Sequence, residues 1–224
     1  MFILLMLITA VPAYLLGSVN GAITASKVFY RKDIRDFGSG NPGLTNFYRT
    51  FGKSGFLLVV FIDVVKTITP VMFGGWLFAT YTDMVLTEVG PLYRILDLAF
   101  FGQVLAGFFV MLGHCFPLFY KFKGGKGIMA IGAIVIVVNW QLALISWGVF
   151  ILVAFITRYV SLSSILGSIA FPVSMLILNV GGIAERNIVI LCVILVIVRH
   201  IPNIKRLLKG EESKLKLKRG NKSG

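Results

Sequence analysis

Seven apolar stretches follow one another along this chain, at roughly residues 2–25, 55–79, 92–113, 127–138, 142–156, 164–178 and 188–198, with short polar joints between them. That alternation constrains the fold more than any single motif. In hydrocarbon every backbone N–H and C=O must find its partner inside the protein, so a spanning segment closes its hydrogen bonds as a helix or joins a closed barrel. Long uninterrupted apolar runs are the helix signature, whereas barrel strands alternate in polarity. Of the residues, 57% are hydrophobic, against about 45–50% in a soluble domain. The expected fold class is therefore all-α: a polytopic integral membrane protein built as a compact bundle of about seven transmembrane helices. No basic stretch precedes the first run, and Lys27 is its first charge, so residues 2–25 read as a true span, not a cleaved signal.

The joints set the topology. The first, residues 27–53, holds Lys27, Arg31, Lys32, Arg35, Arg49 and Lys53; the third, 114–126, holds Lys121, Lys123 and Lys126. The fifth, 157–163, has Arg158, and the chain from Arg199 onward holds nine of the 22 basic residues. Between these, residues 80–91 carry only Asp83 and Glu88 as charges, 139–141 is uncharged, and 179–187 balances Glu185 with Arg186. Basic joints thus alternate with neutral or acidic ones, which places the N-terminus outside and the C-terminus in the cytoplasm. The net charge of +13 is then a topology signal, and no nucleic-acid partner is expected. Segments four to seven are short for ~20-residue spans, so fusing 127–156 and 164–198 into single helices gives a five-span alternative. One transmembrane catalytic domain, 1–204, and a basic cytoplasmic tail, 205–224, are expected.

Gly17, Asn20 and Gly21 suit close helix packing or a polar contact across the bundle. Asp63 and Lys66 lie three apart, on one helix face, as a structural ion pair or a functional one. Cys115 and Cys192 fit no metal or disulfide spacing and read as packed thiols.

Four polar constellations interrupt the oily pattern. "GSGNPGLTNFYRTFGK", residues 38–53, offers Ser39, Asn41, Thr45, Asn46 and Arg49 on a glycine-shaped loop. Converging amides and hydroxyls with a bidentate guanidinium suit an anion. "GKS" at 52–54 mimics the end of a phosphate-binding P-loop, but the first glycine that motif requires is here Phe47. "GHCFPLFYKFKGGKG", residues 113–127, feeds a helix start with Gly124, Gly125, Lys126 and Gly127 beside aromatics, which suits a phosphate carrying a greasy tail. "RYVSLSSI", residues 158–165, brings Ser161, Ser163 and Ser164 as caps or ligand contacts. "RHIPNIKRLLKGEE", residues 199–212, puts His200 and Asn203 on one face if the helix persists past Pro202. All four fall on one side in the seven-span topology. No metal-ligating cluster and no Ser-His-Asp arrangement is apparent, and no metal or cofactor is expected. A small transporter or channel for an anionic metabolite is the alternative to an enzyme. It predicts polar groups on both membrane faces and inverted halves.

These four motifs, in this order, resemble those of the bacterial acyl-phosphate-dependent glycerol-3-phosphate acyltransferases, from the first span to about Glu212. The resemblance implies a compact seven-helix fold in the bacterial inner membrane, acting as a monomer with its site facing the cytoplasm. It implies transfer of a fatty acyl group from acyl phosphate to the 1-hydroxyl of glycerol 3-phosphate, giving lysophosphatidic acid and phosphate for phospholipid synthesis. Carried over residue by residue, it makes Ser39, Arg49, Lys126, Ser164, His200 and Asn203 catalytic. Asn41, Thr45, Asn46, Ser161, Gly124, Gly125 and Gly127 bind substrate, membrane lipid surrounds the chain, and Glu212 is a structural acid. Pro202 departs from the family pattern. The His-x-x-x-x-Asp arrangement of another acyltransferase class is not met, since Phe119 and Lys205 stand five residues after His114 and His200. Acyl phosphate is an activated donor, so its own phosphate can take the hydroxyl proton while the protein positions and stabilises.

Overall fold

In the computed structural model residues 1–89 and 97–215 are described. The start of the expected 92–113 segment, the end of the acidic joint and the tail beyond 215 lie outside them. Among the described residues all regular structure is helical. The α-helices are α1 (Phe2–Gly17), α2 (Gly21–Tyr30), α3 (Leu44–Phe51), α4 (Phe56–Thr80), α5 (Thr82–Val89), α6 (Leu98–Cys115), α7 (Ile128–Val138), α8 (Trp140–Thr157), α9 (Val160–Ile177), α10 (Ile183–Arg199) and α11 (Ile201–Leu208).

Among the described residues five stretches are long and apolar enough to cross a membrane alone: Phe2–Tyr30, Phe56–Thr80, Leu98–Tyr120, Trp140–Thr157 and Val160–Ile177. The α10–α11 pair, bent by 56°, makes a sixth if counted as one broken span. The seventh apolar segment is α7, with 11 residues. At 1.5 Å per residue it is about 16 Å long, near half the ~30 Å hydrocarbon core. It packs against α4, α6, α8 and α9 and passes directly into α8, whose first amides Asn139 caps. Three segments that look short in sequence are longer as helices. Serines read as joint residues lie within α9, where Ser163 and Ser164 donate to the carbonyls of Tyr159 and Val160, each at 2.8 Å. A hydroxyl bonded to its own helix four residues back keeps the helix apolar outside.

The central helix is α6, which packs against α1, α4, α7 and α10. A methyl at Gly17 would collide with the Val110 carbonyl, and one at Gly113 with that of Tyr14, so α1 and α6 approach backbone to backbone. Below Gly17 the first span breaks. Asn20 caps α2 by accepting the Ile23 N–H at 2.9 Å and donates to the Pro42 carbonyl at 3.1 Å, tying the break to the first polar joint. Asp63 and Lys66 form the ion pair their spacing suggests, at 2.8 Å and almost fully buried.

Candidate active site

Residues from joints one, three and five and from the C-terminal chain meet around one cavity of about 820 Å³, so these joints share one side of the bundle. Its mouth is polar: Ser39, Asn41, Thr45, Asn46 and Arg49 from the first joint, Lys126, Ser161 and Ser164 of α9, His200 and Asn203, and Glu212 with Ser213. The other part of its lining is mainly apolar, with Ile128, Ile131 and Val135 of α7, Trp147 and Phe150 of α8 and Phe171 of α9, and Ser146 and Ser168 among them. Every side chain that the resemblance made catalytic or substrate-binding lines this one cavity; Ser163, offered as a cap or ligand contact, is buried within α9 and does not. The three glycines of 124–127 do not.

In the first joint Asn46 is a brace. Its amide donates to the Phe37 carbonyl at 3.0 Å and accepts the Ser39 N–H at 3.0 Å, which leaves the Ser39 hydroxyl at the mouth. Arg49, one turn along α3, is exposed and meets only the Ser213 hydroxyl at 2.8 Å. Lys126 donates to Asn203 Oδ1 at 2.6 Å. Asn203 Nδ2 donates to Glu212 Oε1 and Arg206 Nε to Glu212 Oε2, both at 2.7 Å. Burial, reinforced by the charges of Arg206, Arg199 and Arg49 and opposed by Glu212, pushes the Lys126 ammonium down to about 8. Burial raises Glu212, but the hydrogen bonds from Asn203 and Arg206 outweigh it and hold its carboxyl below the usual range. The lining sets Arg49, Lys126 and Arg206 against Glu211 and Glu212, with Asp63 already paired to Lys66, so positive charge exceeds negative, the condition for binding an anion.

The helix does not run straight through Pro202. It breaks at His200, and α11 restarts with Pro202 in its first turn, where its missing N–H and fixed φ cost nothing. His200 and Asn203 both still reach the cavity. His200 Nδ1 lies 2.8 Å from the Val196 carbonyl. A carbonyl only accepts, so Nδ1 carries the hydrogen and Nε2 keeps its lone pair.

The 124–127 loop is braced from behind. The Gly125 N–H donates to the His114 carbonyl at 3.1 Å. Arg199 donates from Nε to the Gly125 carbonyl at 3.0 Å and from Nη2 to that of Gly124 at 2.7 Å. Gly127 caps α7 at φ 81°. What this loop presents to the cavity is the Lys126 side chain. The sequence reading did not single out Arg199, Arg206 or Ser213, although Arg206 follows Asn203 at helical spacing, nor did it place His114 at the cavity. Among the described residues no group of three or more His, Cys, Asp or Glu side chains is placed to hold a metal ion.

The sequence model of the family described as glycerol-3-phosphate acyltransferase matches residues 7–210. A glycerol-3-phosphate acyltransferase of Staphylococcus haemolyticus (strain JCSC1435) is 38% identical over 216 residues, 96% of this chain and 99% of that protein. One of Staphylococcus saprophyticus is 36% identical over 221 residues, with the same coverage. Among solved structures, the glycerol 3-phosphate form of PlsY (YgiH), an integral membrane glycerol 3-phosphate acyltransferase, superposes with a TM-score of 0.77 at 31% identity, covering 94% of this chain and 96% of that one. Its lysophosphatidic acid form gives 0.72 at 30% identity, covering 94% and 95%.

Proposed function

The chain belongs to the glycerol-3-phosphate acyltransferase family and is a multi-pass membrane transferase of that class, and from this premise we propose that its acyl donor is an acyl phosphate. The acyl group passes to the 1-hydroxyl of glycerol 3-phosphate, leaving lysophosphatidic acid and inorganic phosphate. One observation carries the reading: a single cavity joins a cationic mouth to a mainly apolar part. A donor with a phosphate at the end of an alkyl chain has the same two-part chemistry. Its carbonyl carbon would lie where the two parts meet, and the phosphate of glycerol 3-phosphate would share the mouth.

In this reading Arg49 and Lys126 hold phosphate charge, Arg49 through its two-pronged guanidinium. Ser39, Asn41, Thr45, Ser161 and Ser164 supply neutral donors, and Asn46 keeps the first loop in shape. The hydroxyl of glycerol 3-phosphate attacks the acyl carbonyl, the C–O bond to phosphate breaks, and the departing phosphate takes the hydroxyl proton. The site faces the cytoplasm of a bacterial inner membrane, a placement supported by the basic character of the joints that build it. The enzyme works as a monomer, since one chain supplies the groups described. The transporter reading is not favoured, because the polar constellations gather at one end of the bundle.

Purified protein in detergent, given both an acyl phosphate and glycerol 3-phosphate, is expected to release phosphate and form lysophosphatidic acid in equal amounts. Phosphate release that ignores glycerol 3-phosphate, or product formed only from a thioester donor, would overturn the choice of donor.

A further inference from the structure

A buried polar cluster sits behind the cavity and has no part in the scheme above. Asp63 and Lys66 on α4 pair at 2.8 Å, with their side chains 1% and 4% exposed. Lys66 Nζ also donates to the Val19 carbonyl at 2.6 Å and meets His114 Nδ1 at 3.0 Å. Asp63 Oδ1 accepts the Gly21 N–H at 3.2 Å. The cluster thus ties the α1–α2 break, α4 and α6 together.

Its hydrogen count has a consequence at the cavity. An ammonium has three hydrogens and no lone pair. Lys66 has three partners, so His114 Nδ1 must be an acceptor. A neutral imidazole then carries its one hydrogen on Nε2. That nitrogen lies against the phosphate-side loop, for a methyl on Gly125 would collide with it. Among the described residues it has no hydrogen-bond partner, and His114, though only 3% exposed, lines the cavity together with Asp63 and Lys126. A donor at the cavity wall with no protein partner is open to a ligand, and here it shares that wall with the cationic Lys126 and Arg49.

We propose that the His114 Nε2–H is a binding group, held by Lys66 in the donor tautomer, that donates to a phosphate oxygen of one bound substrate. Lys66 and Asp63 are positioning residues behind it. The inference deepens the acyltransferase reading and rests on it.

Two variants separate a donor role from a structural one. Asn at position 114 keeps an acceptor for Lys66 near the place of Nδ1 and has no N–H at Nε2. Gln puts its amide N–H near Nε2. His114→Asn is expected to lose about 10- to 100-fold in kcat/KM for the substrate whose phosphate is contacted, the usual worth of a charge-assisted hydrogen bond. His114→Gln is expected to recover most of that. A loss confined to acyl phosphate assigns the contact to the donor, and one confined to glycerol 3-phosphate assigns it to the acceptor. Normal kinetics for His114→Asn, or equal damage in both folded variants, overturns the proposal.

If neither variant folds, nitrogen-15 NMR of histidine in the unaltered protein decides. His114 is expected as the Nε2–H tautomer, with that N–H resonance moving when glycerol 3-phosphate or an acyl phosphate is added. An Nδ1–H tautomer, or a resonance that moves with neither, overturns the proposal. Should the unaltered protein transfer no acyl group, the functional reading fails by itself, and the same resonance with inorganic phosphate still tests the contact.

Discussion

The chain has two histidines, and both reach the cavity with opposite ends of the ring in use. His114 Nδ1 accepts from the Lys66 ammonium, whereas His200 Nδ1 donates to the Val196 carbonyl. The same ring therefore turns a hydrogen toward the cavity in one case and a lone pair in the other. Neither has a carboxylate on its Nδ1, the arrangement that orients and charges a catalytic imidazole in a Ser-His-Asp site. The difference teaches that these rings are set as fixed neutral contacts. In the proposed scheme the positive charge that meets phosphate therefore comes from elsewhere, from Arg49 and Lys126, and the hydroxyl proton goes to the donor's own phosphate.

The largest effect that would break this comparison is at Lys66. Lys66→Met removes the group that fixes the His114 tautomer and leaves Asp63 buried without its cation. Losing one partner of a buried pair costs about 3–5 kcal/mol, and thermal unfolding in detergent is expected at a clearly lower temperature. An unchanged midpoint would mean that the cluster does not hold the helices together.

Next comes Arg49. If charge at the mouth comes from this side chain and the fork of its guanidinium matters, Arg49→Lys is expected to lose nearly as much kcat/KM as Arg49→Ala. The loss should be about 1.5–3 kcal/mol, or about 10- to 100-fold. A near-normal Lys variant would reduce Arg49 to a topology charge.

Lys126 gives a smaller and pH-dependent effect. Its ammonium, pushed down to about 8, is lost as pH rises through that value. The kcat/KM of the substrate it holds should then fall on the alkaline side, approaching a tenfold drop per pH unit. Lys126→Arg, whose cation keeps its proton past pH 12, is expected to abolish that limb even if it lowers the plateau. An alkaline limb that survives in Lys126→Arg would assign it to another group.

Much of this was legible in the sequence, for identifiable reasons. The Asp63–Lys66 pair follows from helical spacing alone, and the mouth follows from four motifs that fall on the same side of alternating spans. What escaped depends on contacts between distant parts of the chain. Lys66 and His114 are 48 residues apart, so nothing local indicates that one sets the tautomer of the other. Arg199 reads as the basic end of a span, yet it clamps the carbonyls of Gly124 and Gly125. The glycines promised free amides, but the Gly125 amide is spent on the His114 carbonyl. The span of α9 was underestimated because Ser161 and Ser163 look like joint residues, whereas both lie within the helix and the Ser163 hydroxyl bonds back along it. Composition marks residues 205–224 only as a basic tail, while in the fold Glu212 crosses to Asn203 and Arg206.

The most direct test of the central claim, that the donor phosphate and not the protein takes the hydroxyl proton, is turnover by His200→Gln at saturating substrates across pH 5–9. A glutamine can keep a hydrogen bond at this position without acting as a base. The account predicts turnover within about tenfold of the unaltered enzyme, less than the 10²–10⁴-fold that removing a general base costs, with the shape of the pH profile unchanged. A loss of three or more orders of magnitude, together with disappearance of an acidic limb present in the unaltered enzyme, would contradict it and make His200 the catalytic base.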